Sequence, residues 1–143
     1  MLKLSIKEGG NVNANEGFAL RRAIELNNVK MVALLLKNGA DPNVYRHSSI
    51  RLAVRHNNTK IAKLLIDAGA DINEENGFSL LFAAINGNVE MVKILISPNN
   101  KGKNIKKKVL RSTIKSIHGY SLIPNNANKY TEIINVLTNK LKG

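Results

Sequence analysis

The chain has 143 residues, enough for one domain with a useful core, and carries a net charge of +12 from 22 Lys/Arg against 10 Asp/Glu. It has no cysteine, which excludes disulfides and thiolate metal sites and allows a reducing compartment. No stretch approaches the roughly 18 consecutive apolar residues of a transmembrane helix, and the start, Met1 to Glu8, is too short and too charged for a secretory signal. The charge is uneven: residues 1–100 hold 12 Lys/Arg and 9 Asp/Glu, whereas residues 101–143 hold 10 Lys/Arg and only Glu132.

In chain order, residues 2–8 read as a lone second helix that covers the apolar flank of the first complete unit. Then a Gly-x-x-x-Asn group recurs every 30 residues, at Gly9–Asn13, Gly39–Asn43 and Gly69–Asn73. A fixed period in this range marks a solenoid, whose units bury their apolar faces only against their neighbours. On that ruler Leu20, Ile50, Leu80 and Leu110 coincide, as do Ala23, Ala53, Ala83 and Thr113. Each unit reads as a short helix rich in alanine, a polar turn and a longer aliphatic helix. The turns are Asn27-Asn28, Asn57-Asn58 and Asn86-Gly87-Asn88, suited to left-handed backbone. Gly39 and Gly69 close the second helices. The small Ala23 series lets first helices approach closely, and Leu34–Leu36, Leu64–Ile66 and Ile94–Ile96 fill the layer between units.

The last unit keeps phase in its first helix, predicted from about Lys106 to Ile117. A loop from His118 to about Lys129 comes next, and then a second helix from Tyr130, displaced by 12 residues relative to the ruler. This is a degenerate repeat with a polar, cationic outer face, suited to a terminal cap.

The pattern resembles the ankyrin repeat. The resemblance rests on Gly-Ala-Asp-x-Asn at 39–43 and 69–73, the leucine-small-aliphatic helix starts, and Asn86-Gly87-Asn88-Val89-Glu90-Met91-Val92-Lys93-Ile94-Leu95. It covers roughly residues 1–97 and implies an all-α helix-turn-helix solenoid with short inter-repeat hairpin loops. The expected division is a half-repeat cap at 1–13, repeats at 14–43, 44–73 and 74–100, and a basic capping repeat at 101–143. The family unit is usually 33 residues, so three are missing, and they are assigned to the hairpin loop. Short units of this kind resemble those in ankyrin arrays of large DNA viruses and intracellular bacteria. The family's Thr-Pro-Leu-His is replaced by Phe18-Ala19-Leu20-Arg21, Ser48-Ser49-Ile50-Arg51 and Phe78-Ser79-Leu80-Leu81, so helix starts must be held by packing. Phe18 and Phe78 are expected to be packed.

Catalytic signals are poor. His47, His56 and His118 lie in different segments without metal-pair spacing, and the glycines punctuate repeats rather than cradle phosphate. No enzyme activity, cofactor or metal is expected. The resemblance implies binding of another protein on a concave face made by hairpin tips and first helices. The matching positions are Glu16, Arg22 and Glu25; Tyr45, Arg46, His47, Arg55 and His56; and Glu75, Asn76, Phe82 and Ile85. They differ between copies while the packing positions do not, as a shared scaffold with a specific surface requires. Tyr45 and Arg46 suit a hot spot.

The run Lys106-Lys107-Lys108, with Arg111 and Lys115, is the alternative site. It falls at a helix N-terminus, where the macrodipole disfavours each cation by about 0.3–1 kcal/mol. That invites nucleic acid or another polyanion, and the run also resembles a minimal nuclear-import signal. No aromatic residue interleaves the lysines, which argues against base stacking. A monomer, cytoplasmic with a nuclear alternative, no membrane partner and an array complete between its caps are the remaining expectations.

Overall fold

The computed structural model describes residues 9–44, 49–97, 104–122 and 125–143. Among these there is no strand, and helices follow one another in pairs; the expected short first helix and longer second helix occur in repeat two (7 and 9 residues) and in the cap (11 and 16), but not in repeat one (12 and 9) or repeat three (8 and 7). First helices are α1 (Ala14–Glu25), α3 (Ser49–Arg55), α5 (Phe78–Ile85) and α7 (Lys107–Ile117). Second helices are α2 (Val29–Lys37), α4 (Thr59–Asp67), α6 (Val89–Leu95) and α8 (Ala127–Lys142). First helices stack on first helices, second on second, and each pair packs together, giving two layers. The expected N-terminal half-repeat at residues 2–8 lies outside the described residues.

The two layers close on the positions that recur in the sequence. Leu20, Ile50, Leu80 and Leu110 are buried, and so are Ala23, Ala53, Ala83 and Thr113, where a larger side chain would separate adjacent first helices. Ile24, Val54 and Ala84 are buried behind them, and Leu35, Leu65 and Leu95 fill the second layer. The intervening turns use left-handed backbone at Asn27 (φ 56°), Asn57 (φ 49°) and Gly87 (φ 67°), one per repeat. Asn28 and Asn58 then cap the second helices, their side chains accepting from the backbone N–H of Met31 (3.0 Å) and Ile61 (2.9 Å).

The asparagine of the recurring group has a second role that spacing alone did not show. Asn13 donates from Nδ2 to the Gly39 carbonyl (3.0 Å) and accepts the Asp41 N–H on Oδ1 (2.8 Å). Asn43 does the same to Gly69 and Asp71, both at 2.9 Å. Asn73 extends the ladder to the Asn104 carbonyl (3.0 Å) and the Lys106 N–H (2.8 Å). Each amide therefore satisfies one donor and one acceptor of the next loop, and in the cap Lys106 stands where Asp41 and Asp71 stand before it.

The first turn of α1 and the turn before α5 have left-handed backbone. Asn15, Glu16 and Gly17 have φ of 51°, 57° and 71°; Glu75, Asn76 and Gly77 have 43°, 59° and 84°. The last residue of each is glycine with positive φ, and at Gly77 a neighbour also sits where its Cβ would be. At Gly77 a Cβ would meet Val109 Cγ1 at 2.1 Å, whereas at Gly17 the nearest atom is Val44 Cγ1 at 3.4 Å.

Two features differ from the sequence expectation. The loop from His118 to Lys129 is partly helical: a 3₁₀ turn covers His118–Leu122, and α8 begins at Ala127. The helix thus starts three residues earlier than the apolar pattern at Tyr130 suggests. Tyr130 is buried and donates its hydroxyl to the Ile85 carbonyl (2.6 Å), and Lys93 pairs with Glu132 (2.7 Å), so both ties fix the cap to repeat three. Phe18 is the other difference, being 50% exposed rather than packed. Phe78, its counterpart, is half-buried because Arg51 from the preceding first helix lies over it and Phe82 stacks beside it. No described first helix precedes α1 to do this for Phe18.

Candidate concave binding face

Every inner first helix has three covered sides: the first helices before and after it, and its own second helix. The fourth side is open. In α5 the buried residues Ser79, Leu80, Ala83 and Ala84 leave Phe78, Leu81, Phe82 and Ile85 on that side. The same register puts Arg21, Arg22 and Glu25 there from α1, Arg51, Leu52 and Arg55 from α3, and Lys108, Arg111, Ser112 and Lys115 from α7. α7 obeys this phase, with Val109, Leu110, Thr113 and Ile117 buried.

The expected partner-binding residues divide into three groups. Arg22, Glu25 and Arg55 are exposed, and Phe82 and Ile85 half-buried, along the open side of the first helices, and His56 is exposed in the turn just after α3. Glu16, Glu75 and Asn76 are exposed on the left-handed turns, where a non-glycine residue costs about 1–2 kcal/mol. Tyr45, Arg46 and His47 lie outside the described residues.

Local ion pairs order this surface. Glu25 takes Arg22 (3.4 Å) and Arg21 (3.9 Å), each within one helical turn. Arg51 reaches across to Glu75 of the next turn and lies 4.9 Å from the Phe78 ring centre. Arg21 lies over Phe18 in the same way, at 5.5 Å. Between α1 and α3 these side chains line a groove of about 240 Å³ formed by Arg21, Glu25, Arg51, Leu52 and Arg55.

The cationic cap residues Lys106, Lys107, Lys108, Arg111 and Lys115 are all exposed. Lys106 precedes α7 with extended backbone, Lys107 and Lys108 begin it, and no acidic residue stands in its first turn. None of the five forms an ion pair among the described residues. Sequence reasoning treated them as a site apart from the concave face. The register of α7 brings Lys108, Arg111 and Lys115 onto it.

Among the described residues no group of three or more His, Asp or Glu is placed to hold a metal ion. His56 is exposed in the turn after α3 and His118 is exposed at the start of the 3₁₀ turn after α7. No described helix is long and apolar enough to cross a membrane.

Comparison with known families agrees with this architecture. A family model described as ankyrin repeats in three copies matches residues 45–109, and one for a single ankyrin repeat matches residues 18–47. Searches of curated proteins and of solved structures gave no significant match. Ankyrin repeats are generally non-enzymatic modules for protein–protein interaction. With helix pairs stacked in two layers on a 30-residue beat, and with family matches running from residue 18 to residue 109, the chain belongs to the ankyrin-repeat family.

Proposed function

We propose that this chain is a non-enzymatic recognition module that holds a partner protein on the open side of its first helices and on the turns beside them. One observation carries the reading. Within a single fold, the covered rows are nearly uniform and the open rows are not. Leu20, Ile50, Leu80 and Leu110 are all buried aliphatics, while the row Glu25, Arg55, Ile85, Lys115 changes charge or polarity at every step. Packing explains the first row and places no demand on the second.

Affinity capture from the native cell or its host tests the reading. Arg22→Glu/Arg55→Glu on the open side should lose the partner, while Lys30→Glu/Lys60→Glu on the second helices should keep it. Both pairs are exposed, so circular dichroism should show both variants folded. Loss with the second-helix pair and retention with the first-helix pair would refute the assignment.

A further inference from the structure

The open side of the first helices has an order of charge that is hidden while repeats and cap are considered separately. α1 and α3 present Arg21, Arg22, Arg51 and Arg55, with Glu25 among them. α5 presents no charge: its open positions are Phe78, Leu81, Phe82 and Ile85. α7 returns to cations with Lys108, Arg111 and Lys115. The face is thus basic, then apolar, then basic. Arg55, Lys108, Arg111 and Lys115 form no ion pair among the described residues.

We propose that the partner presents an acidic segment with an apolar anchor at its centre, the anchor seated on α5 and the flanking carboxylates on α3 and α7. This rests on the concave-face reading and names the chemistry of what that face takes. Packed helices lie about 8–10 Å apart, so the cations of α3 and α7 are separated by about 16–20 Å. An extended chain covers that span in about five or six residues. Carboxylates at both ends of such a segment meet exposed guanidinium and ammonium groups, a complementarity that mainly raises the association rate and fixes orientation. The apolar side chain between them covers Leu81, Phe82 and Ile85, whose surface is only half-buried.

A protein segment fits better than nucleic acid. The two rings nearest the centre, Phe78 and Phe82, stack on each other at 5.8 Å between centroids and are not offered to bases. The basic cap is then a fourth rung of the same binding face, beyond its role of covering the end of the stack.

The test is selection of random 12-residue peptides displayed on phage against the full chain, then fluorescence anisotropy of the enriched peptides. Enriched sequences should carry Asp or Glu on both sides of an aromatic or aliphatic residue. Their affinity should fall at least about tenfold in Arg55→Glu/Lys115→Glu and stay within about twofold in Lys30→Glu/Lys60→Glu. Enriched peptides without acidic residues that still bind through Leu52 or Phe82 would overturn the acidic partner and leave the concave face standing. Peptides indifferent to every first-helix variant, or no enrichment at all, would remove both. A single-stranded 20-nucleotide DNA that binds more tightly than any peptide, and depends on Lys108, Arg111 and Lys115, would replace the acidic segment by a polyanion.

Discussion

Gly77→Ala should be far more damaging than the same change at Gly17, two repeats earlier in the array. Gly77 ends the left-handed turn before α5 with φ +84°, and an added Cβ would lie 2.1 Å from Val109 Cγ1 and 3.2 Å from Val109 Cβ. Val109 is buried and β-branched, so a rotamer change removes the first contact and not the second. Left-handed backbone costs alanine about 1–2 kcal/mol, and forcing an extra methyl into a packed site costs about 1–3 kcal/mol more. Gly17 has φ +71° and its nearest neighbour is at 3.4 Å, so Gly17→Ala carries the backbone cost alone. Urea unfolding monitored by circular dichroism at 222 nm should place Gly77→Ala about 1–3 kcal/mol below Gly17→Ala. Val109→Ala removes two methyl-sized groups from the core, costing about 1.6 kcal/mol by itself at about 0.8 per buried carbon. Combined with Gly77→Ala it should cost less than the two changes added together, because the clash with both Cγ atoms disappears and only the 3.2 Å approach to Cβ remains. Equal losses at Gly17 and Gly77, or strict additivity with Val109→Ala, would refute the packing argument for how α7 docks on the α5 turn.

Other expected outcomes concern the ladder, the cap and the ion pair that ties the cap to repeat three. Asn43→Ala removes two hydrogen bonds to the next loop and should lower stability by about 1–2 kcal/mol, toward the low end of their usual worth because both are solvent-exposed; urea midpoints measure it. Tyr130→Phe loses the hydroxyl donor to the Ile85 carbonyl and should cost about 1 kcal/mol, with amide exchange accelerated in α8 before α4. Lys93 has its pKa raised above the ordinary 10.5, chiefly by its hydrogen bond to Glu132 and then by that carboxylate's charge. A raised ammonium pKa stabilises the fold at every pH below 10.5 and ceases to do so as pH rises through the elevated value. Glu132→Gln should therefore flatten the alkaline end of the stability profile, read from urea midpoints above about pH 10, and change little near neutrality beyond the small worth of an exposed pair.

The sequence was sufficient for the parts of this fold that depend on periodicity. Burial tracks the 30-residue recurrence at the Leu20 and Ala23 rows because a solenoid asks the same volume of each unit at the same place. The positive φ at Asn27, Asn57 and Gly87 was equally legible, since few residue types accept that backbone. The start of α8 was less so: no apolar residue marks Asn126 or Ala127, and the helix there rests on contacts with α7 and the 3₁₀ turn.

Three things belong to the tertiary structure. Asn13, Asn43 and Asn73 recur visibly in the sequence, but only the stacking of consecutive loops shows that their amides join them. Glycine at 77 reads as a turn signal, and only the approach of Val109 makes it a packing requirement. The lysines of the last repeat read as a separate charge run, because they come after an interruption in the pattern. The phase that aligns Leu110 with Ile50 also aligns Lys115 with Arg55, but only the docking of α7 on α5 makes the two share one surface. The beat of 30 residues dictates that units stack, because each apolar face needs a neighbour. Which exposed charges share a surface is decided only when they do.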